Sequence, residues 1–185
     1  MPVNIAWGIT GAGDLLNEVF ELMDAVSRRK DLKITAIVSR AGETVLKWYK
    51  LTERLESIAE KVFIEKDANT PFVVGPLQTG KYRCLILAPA TANTVAKLVC
   101  GIADTLLTNC VSQANKAGRD VYILPVDRER GTITTYLPDG KPFELTMRDI
   151  DVDNTEKLRK MKGIRVIDSP RDIKGIVEGY LKEEV

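Results

Sequence analysis

The chain has 185 residues and an almost balanced charge, with 27 Lys and Arg against 26 Asp and Glu. Its overall charge therefore gives no indication of a nucleic acid or an anionic membrane surface as a partner. The sequence contains no histidine, which excludes Ser-His-Asp and Cys-His mechanisms as well as histidine-bearing zinc sites.

The length predicts a single domain over residues 1–185 that can bury a full core without disulfides. No apolar run approaches the roughly 20 residues that span a bilayer, and residues 1–5 lack the pattern of a secretory signal. We therefore expect a cytoplasmic protein with no membrane partner. The widely spaced Cys84, Cys100 and Cys110 predict buried free thiols and no metal site. No side chain stands out as catalytic, which favours chemistry carried by a cofactor.

The first half of the chain alternates strand and helix signals. The predicted elements are a strand over 3–10, a helix over 15–29 with Asp14 as its N-cap, a strand over 34–38 and a helix over 43–50. This order implies a parallel strand pair joined by a right-handed crossover. The segment 51–80 is irregular, with a short helix near 55–59, an extended piece over 62–64 and breaks at 69–71 and 75–76.

The second half continues the same alternation and then changes. A strand over 84–88 stops at Pro89, and helices from about 91 and over 104–116 lead to a strand over 121–124. Because these strands are nearly all apolar, they predict a parallel sheet that is covered on both faces. Residues 132–137 and 143–147 then predict an antiparallel hairpin with its turn at Asp139 and Gly140.

The chain closes with a helix capped near Asn154, a strand over 164–167 and a helix from Ser169. The complete pattern predicts an α/β fold. Its core is a Rossmann-like, doubly wound parallel sheet, with a β-hairpin insertion near the C-terminal third.

Three predicted strand ends carry loops of small and hydroxyl residues. These loops are Thr10, Gly11, Ala12 and Gly13 after the first strand; Ser39, Arg40, Ala41 and Gly42 after the second; and Pro89, Ala90, Thr91, Ala92, Asn93 and Thr94 after the third long strand. In an open α/β sheet ligands bind at such ends. A dinucleotide fingerprint is incomplete, because Leu16 stands where a third glycine is needed and no acidic residue closes the second strand.

The chemistry of these loops favours FMN over NAD. Hydroxyls, the Arg40 cation and the amides of a helix start suit one phosphate, while Ala90 and Ala92 leave room for a flat ring. Each loop taken alone also fits an ordinary helix cap or turn, and Thr91 is one example. From spacing alone both interpretations stay open.

The same residues resemble the flavin-containing cysteine decarboxylase superfamily. Residues 88–94 are similar to its P-A-S-A-N-T motif, with Thr91 replacing serine. Residues 9–13 are similar to its first phosphate loop, residues 39–42 to its loop after the second strand, and residues 101–107 to its G-x-A-D-x-L-L stretch. The resemblance implies a flavoprotein fold with FMN bound between the subunits of a homotrimer or an assembly of trimers. It also implies that the three loops hold the phosphate, ribityl chain and ring.

Departures from the pattern narrow the activity. The decarboxylases use a histidine that this chain lacks, and their P-x-M-N motif falls at 125–128, where the sequence reads Pro-Val-Asp-Arg. We also find no residues for a dimethylallyl phosphate. Decarboxylation and prenyl transfer are therefore disfavoured. The opening over 7–13 and the loop over 39–43 look instead like the archaeal branch, which includes ferredoxin-dependent archaeoflavoproteins and dihydromethanopterin reductases.

Two main functions follow from the resemblance. The first is an FMN redox flavoprotein that accepts electrons from a ferredoxin-type iron–sulfur protein, with Arg128 and Arg130 as docking candidates unless they belong to a solvated turn. The alternative is an FMN-dependent reductase that passes a hydride to a pterin, with Trp48, Tyr49 or Tyr136 stacking on the ring unless they only pack. A non-redox FMN-binding protein is a third, weaker possibility.

Overall fold

The computed structural model describes residues 2–183 of the chain. The strands are β1 (Val3–Ile9), β2 (Leu32–Val38), β3 (Lys61–Ile64), β4 (Cys84–Ala90), β5 (Asp120–Pro125), β6 (Thr132–Tyr136), β7 (Pro142–Thr146) and β8 (Ile164–Val166). The helices are α1 (Leu16–Ser27), α2 (Arg40–Trp48), α3 (Thr52–Ile58), α4 (Val74–Gln78), α5 (Ala92–Val99), α6 (Leu106–Lys116), α7 (Asp149–Arg159) and α8 (Asp172–Glu183).

Six of these strands form a parallel sheet in the order β3-β2-β1-β4-β5-β8. Each neighbouring pair is parallel, with Trp7 paired to Ala36 of β2 on one side and to Ile86 of β4 on the other. From β1 the chain adds β2 and β3 on one side of the sheet, and from β4 it adds β5 and β8 on the other side, so the direction of winding reverses between β1 and β4. That reversal opens a crevice at the carboxyl ends of these two strands, which is where α/β sheets place their ligands.

Helices cover both faces of the sheet. Trp7 and Phe20 are fully buried in one apolar cluster, between the central strands and α1 and α8. Leu85 and Leu107 belong to the second cluster, between the sheet and α5 and α6. The predicted doubly wound α/β fold is therefore confirmed. No helix within residues 2–183 is long and apolar enough to cross a bilayer.

The predicted hairpin is present as β6 and β7, a separate two-stranded antiparallel ribbon with Thr134 opposite Glu144. Gly140 adopts φ 81° in its turn, a left-handed conformation that glycine adopts without a Cβ clash. All five residues of β7 are exposed. An exposed two-stranded ribbon is only marginally stable by itself in water.

Several predicted boundaries are wrong. Helix α1 begins after Leu15, which adopts φ 59°, and Asp14 does not cap it. Helix α7 begins at Asp149 instead of near Asn154, which is buried inside that helix. Strand β4 continues past Pro89 to Ala90, through a cis peptide bond before the proline.

Helix starts elsewhere also shift by a few residues. Helix α2 begins at Arg40, three residues before the predicted start, because Ser39 caps it. Helix α6 begins at Leu106, after its Thr105 cap. The break predicted at residues 75–76 lies inside the short helix α4. Pro76 is tolerated there because it lies in the first turn, where a missing backbone N–H costs no helical hydrogen bond.

Candidate functional site

A cleft of about 530 Å³ lies where the loops after β1, β2 and β4 meet. Its lining includes eight of the predicted ligand residues: Thr10, Gly11, Ser39, Arg40, Ala41, Thr91, Asn93 and Thr94. The three loops come together because the strands that precede them are neighbours in the parallel sheet. Loops that begin at residues 10, 39 and 89 of the chain thus form one site.

The other six predicted residues lie outside this lining: Ala12, Gly13, Gly42, Pro89, Ala90 and Ala92. Ala12 and Ala90 are buried. A Cβ at residue 42 would lie 2.7 Å from the Ile9 carbonyl, and one at residue 13 would lie 2.7 Å from the Tyr49 hydroxyl. At residue 42 the neighbour is backbone, so glycine is required for this close packing, whereas at residue 13 the Tyr49 side chain would have to move.

The buried Thr10 hydroxyl links two of the loops. Its Oγ1 donates to the Pro89 carbonyl at 2.8 Å and accepts from the Thr91 amide at 3.0 Å. The Thr10 amide also donates to Pro89, at 3.3 Å. These bonds hold the start of α5 against the end of β1.

The remaining hydroxyls cap helices at the cleft wall. Ser39 Oγ accepts from the Gly42 amide at 2.9 Å, and Thr91 Oγ1 accepts from the Thr94 amide at 3.3 Å. Within residues 2–183 the backbone hydrogen bonds leave the amides of Gly11, Ala41 and Asn93 without a protein acceptor. Amides of this kind at helix starts attract anions.

Close packing shapes the cleft around these amides. A Cβ at residue 11 would lie 2.7 Å from the Cβ of Ala41, so only glycine allows the first two loops to approach this closely. Arg40 is exposed at the rim and has no ion-pair partner among the described residues. The cleft therefore offers backbone amides, hydroxyls and the Arg40 cation to an anionic ligand.

The rest of the cleft lining, which includes three carboxylates, consists of residues that the sequence did not predict as ligand residues. They are Glu65, Asp67, Ala68, Lys97, Asp104, Thr105 and Leu107. Glu65 directly follows β3. Its position at the end of a short apolar run is the sequence feature that could have predicted it as a site residue. Asp104 and Thr105 lie in the G-x-A-D-x-L-L stretch.

These charged groups are held by specific partners. Lys97 Nζ lies 2.8 Å from Asp104, and its hydrogen bond keeps the pKa of that carboxyl below its usual range. The Asn69 amide is the main cause that lowers the pKa of Asp67. Both carboxylates therefore stay charged at neutral pH, and they reduce the positive potential that Lys97 provides.

A further acidic group stands behind the α5 start. Asp127 follows β5 and is half-buried, and burial is the main cause that raises its pKa. The nearby carboxylates of Asp151 and Asp14 raise this pKa further, while the Ala92 amide and Arg148 oppose the shift. Asp151 is itself buried and pairs with Arg148 at 2.7 Å.

The arginines predicted to dock a partner are engaged within the protein. Arg130 donates to Asp149 at 2.9 Å and to Asp153 at 2.6 Å. Arg128 donates to the Pro125 carbonyl at 2.9 Å. The positive charge available at this turn is therefore smaller than the sequence indicates.

The three aromatic residues proposed for stacking lie together outside the cleft lining. Tyr49 donates from its hydroxyl to the Tyr136 carbonyl at 3.0 Å and packs edge-on against Trp48. Trp48 and Tyr136 are both more than half exposed. Because the Tyr49 hydroxyl also lies over Gly13, this contact places the hairpin beside the first loop.

The cysteines do not all behave as predicted. Cys84 and Cys110 are buried, and burial raises the pKa of Cys110 to about 12. Cys100 is exposed, so the prediction of a buried thiol is wrong there. It is the C-cap of α5, where the chain leaves the core. Among the described residues no group of three or more acidic, histidine or cysteine side chains is placed to hold a metal ion.

The parallel sheet and its strand-end cleft define an α/β protein of the nucleotide-binding type. The sequence pattern of the Flavoprotein family matches residues 1–181. The chain belongs to the Flavoprotein family.

Two similar proteins come from one organism. An uncharacterized protein of Methanocaldococcus jannaschii is 50% identical over 180 residues, 97% of this chain and 97% of that protein. A protein of the same organism named dihydromethanopterin reductase (acceptor) is 44% identical over 161 residues, which are 81% of this chain and 65% of that relative.

A solved structure shares the fold over nearly the whole chain. Burkholderia xenovorans DmrB in complex with FMN, described as a cubic protein cage for redox transfer, superposes with a TM-score of 0.82 at 31% identity. The superposition covers 98% of this chain and 96% of that one.

Proposed function

We propose that this protein is an FMN-dependent oxidoreductase that reduces a pterin of the dihydromethanopterin kind. The observation that carries the proposal is the meeting of three strand-end loops around unpaired amides in a chain of the Flavoprotein family. FMN, when bound, supplies a two-electron store that can be filled one electron at a time.

The residues at the cleft fit FMN. The amides of Gly11, Ala41 and Asn93 and the Arg40 guanidinium suit a single phosphate with two negative charges. The close approach of Gly11 to Ala41 keeps that part of the cleft narrow. We assign to the three predicted loops, Thr10 to Gly13, Ser39 to Gly42 and Pro89 to Thr94, the task of holding the phosphate, ribityl chain and ring.

The pterin assignment rests on the relatives. A 44% identical protein carries the name dihydromethanopterin reductase (acceptor), and DmrB, at 31% identity, was crystallised with FMN. These relationships favour substrate reduction over electron transfer alone. For the electron source we propose a ferredoxin-type iron–sulfur protein that binds near the cleft. The engagement of Arg128 and Arg130 within the protein argues against docking through those two residues.

We further propose that the chain works as a homo-oligomer built from trimers. The hairpin exposes Tyr136, Phe143 and Leu145, and Ile150 at the start of α7 is also exposed. A second copy that covers these apolar side chains would gain burial free energy. The cage formed by DmrB is consistent with this proposal. Light scattering of the purified protein measures the number of copies directly.

The test of the redox proposal uses purified protein reconstituted with FMN under anaerobic conditions. Reduced ferredoxin should bleach the flavin absorbance, and a dihydropterin added afterwards should restore it at a rate that matches steady-state turnover. Bleaching without any response to the dihydropterin would leave electron transfer as the function. Failure to retain FMN at all would refute the proposal.

A pair of variants tests the cleft itself. Arg40→Gln removes the exposed guanidinium at the cleft and should weaken FMN binding at least about tenfold. Binding of riboflavin, which has no phosphate, should be unaffected. Arg171→Gln is the matched control, because Arg171 is exposed and lies outside the cleft lining. Equal FMN affinities in both variants would show that the phosphate binds elsewhere.

A further inference from the structure

A second cleft, of about 420 Å³, contains three arginines and is called the arginine cleft below. Arg83 directly precedes β4, Arg119 directly precedes β5, and Arg165 is the second residue of β8. These three strands are neighbours in the parallel sheet, so their amino ends bring the three guanidinium groups together. The proposed FMN cleft lies at the carboxyl ends of the strands, which places the two clefts at opposite ends of the sheet.

Two of the guanidinium groups are held against buried tyrosine rings. The Arg83 guanidinium lies 5.7 Å from the centre of the Tyr180 ring, and that of Arg165 lies 5.3 Å from the centre of the Tyr122 ring. Both tyrosines are only 7% exposed, and their hydroxyls hydrogen-bond to each other at 3.0 Å. Because an aromatic face attracts a cation at this distance, the two positive groups are in position before a ligand binds.

Two carboxylates also line the arginine cleft, and both are engaged. Asp120 accepts from the Tyr180 hydroxyl and pairs with Arg165 at 3.1 Å, while Glu183 pairs with Arg83 at 3.0 Å. All four side chains of these ion pairs are more than a third exposed, and exposed pairs contribute little to stability. Each guanidinium carries five N–H donors, so both arginines keep donors for a ligand.

The third arginine has no carboxylate partner. Arg119 is half-buried and donates to the neutral Gln78 carbonyl at 3.2 Å. Within residues 2–183 it forms no ion pair. Three guanidinium groups and two carboxylates leave the arginine cleft with one positive charge in excess, which favours an anionic ligand.

Helix α8 leaves open space in the same cleft. It contributes Gly175 and Gly179, one turn apart, to the lining. A Cβ at either position would meet no atom within 4 Å, so packing among the described residues does not require glycine there. Glycine inside a helix lowers stability relative to alanine. Room for a ligand explains both glycines, and it makes the three arginines accessible from this side.

We propose that the arginine cleft binds a small diphosphate, either free pyrophosphate or the diphosphate end of a small organic molecule. A terminal phosphoryl group offers three acceptor oxygens to several guanidinium groups, whereas a carboxylate offers two. The volume suits a ligand of this size. This binding is separate from the proposed FMN function and does not depend on it.

The experiment is isothermal titration calorimetry of the purified protein with pyrophosphate at constant ionic strength, with and without saturating FMN. We expect one pyrophosphate per chain and the same Kd in both conditions. Malonate, a dicarboxylate, should bind at least about fivefold more weakly. Titration with ADP distinguishes the two sources, because a lower Kd than that of pyrophosphate assigns an organic diphosphate and a higher one assigns the free anion.

Three variants locate the binding. Arg119→Gln should weaken pyrophosphate binding at least about tenfold and leave FMN affinity unchanged. Arg171→Gln removes the same charge from an exposed position outside the arginine cleft and should bind pyrophosphate as wild type. Gly179→Leu fills the open space with a good helix former. It should abolish pyrophosphate binding without lowering the urea midpoint.

Several results would overturn the proposal. Wild type that binds no pyrophosphate at millimolar concentration would do so directly, and so would equal Kd values in Arg119→Gln and Arg171→Gln. Loss of pyrophosphate binding in the presence of FMN would place the anion in the first cleft. If Gly179→Leu leaves pyrophosphate binding intact but reduces the oligomer size in light scattering, the glycines serve a contact between copies instead. Failure to retain FMN would refute the proposed function, whereas pyrophosphate binding should persist.

Discussion

Thr10 and Thr91, which close β1 and open α5, are joined by a hydrogen bond of 3.0 Å from the Thr91 amide to the buried Thr10 hydroxyl. The same hydroxyl donates to the Pro89 carbonyl. One side chain thus satisfies a donor and an acceptor at the bottom of the cleft. The two loops that flank the central strands are fixed relative to each other.

Replacing Thr10 with valine should lower both stability and FMN affinity. Valine has a similar shape but leaves the Thr91 amide and one bond to Pro89 unmade, which costs about 1–3 kcal/mol of unfolding free energy. Urea denaturation measures this loss, and fluorescence titration measures the affinity. Thr10→Ser keeps the hydroxyl and is the control. Wild-type behaviour of the valine variant would contradict this role.

Gly11→Ala should weaken FMN binding at least about tenfold. The new Cβ would lie 2.7 Å from the Cβ of Ala41, so the first two loops must separate at the phosphate position. Gly175→Ala is the control because a Cβ there meets no atom within 4 Å. In helix α8 it should raise stability by up to about 1 kcal/mol. Equal FMN affinity in the two variants would refute the proposed contact.

The pH dependence of stability should change in Asp127→Asn. Burial first, and then Asp151 and Asp14, raise the pKa of Asp127 in the folded protein. Its contribution to stability is therefore present below the ordinary aspartate pKa and is lost as pH rises through the raised value. Asparagine cannot ionise and avoids that loss. The free energy of unfolding of the variant, relative to that of wild type, should therefore be higher at about pH 8 than at about pH 3.5.

Urea denaturation at the two pH values checks this sign. Asp139→Asn provides the comparison, because the hydrogen bond from Lys141 lowers the pKa of Asp139 and the change should have the opposite sign. If Asp127→Asn is less stable than wild type at both pH values, the hydrogen bond between the Asp127 carboxylate and the Ala92 amide contributes more to stability than the repulsion by Asp151 and Asp14 costs.

One thiol per chain should react quickly in the native protein. Cys100 is exposed whereas Cys84 and Cys110 are buried, and burial raises the pKa of both buried thiols. Since the thiolate is the reactive form, a disulfide reagent should modify one thiol fast and three after unfolding. Cys100→Ser should abolish the fast phase. A fast phase that survives this change would show that a buried thiol becomes accessible.

The order of strands and helices was predictable from the sequence because the apolar periodicity is strong. A fully buried parallel strand is nearly all apolar, as in 84–88, and the amphipathic stripe of α1 has helical spacing. The hairpin was predictable from its Asp139-Gly140 turn. These signals are local and do not depend on what packs against them.

Helix boundaries were less predictable because capping depends on the backbone path. Asp14 and Asn154 are both good N-cap residues, yet α1 begins after a left-handed Leu15 and α7 begins at Asp149. Ser39 and Thr91 do cap their helices. Residue type alone does not distinguish these cases, since tertiary contacts decide where the helix starts.

The sequence by itself therefore determined the α/β fold, the three strand-end loops and the absence of histidine chemistry. Only the tertiary structure placed Glu65 between α2 and α6, across a gap of 25 residues to Arg40 and 41 to Leu106. The physical reason is that a parallel sheet gathers the carboxyl ends of strands that are distant in the chain. Glu65, Asp67 and Asp104 line one cleft for this reason, and no single local pattern in the sequence predicts that they meet.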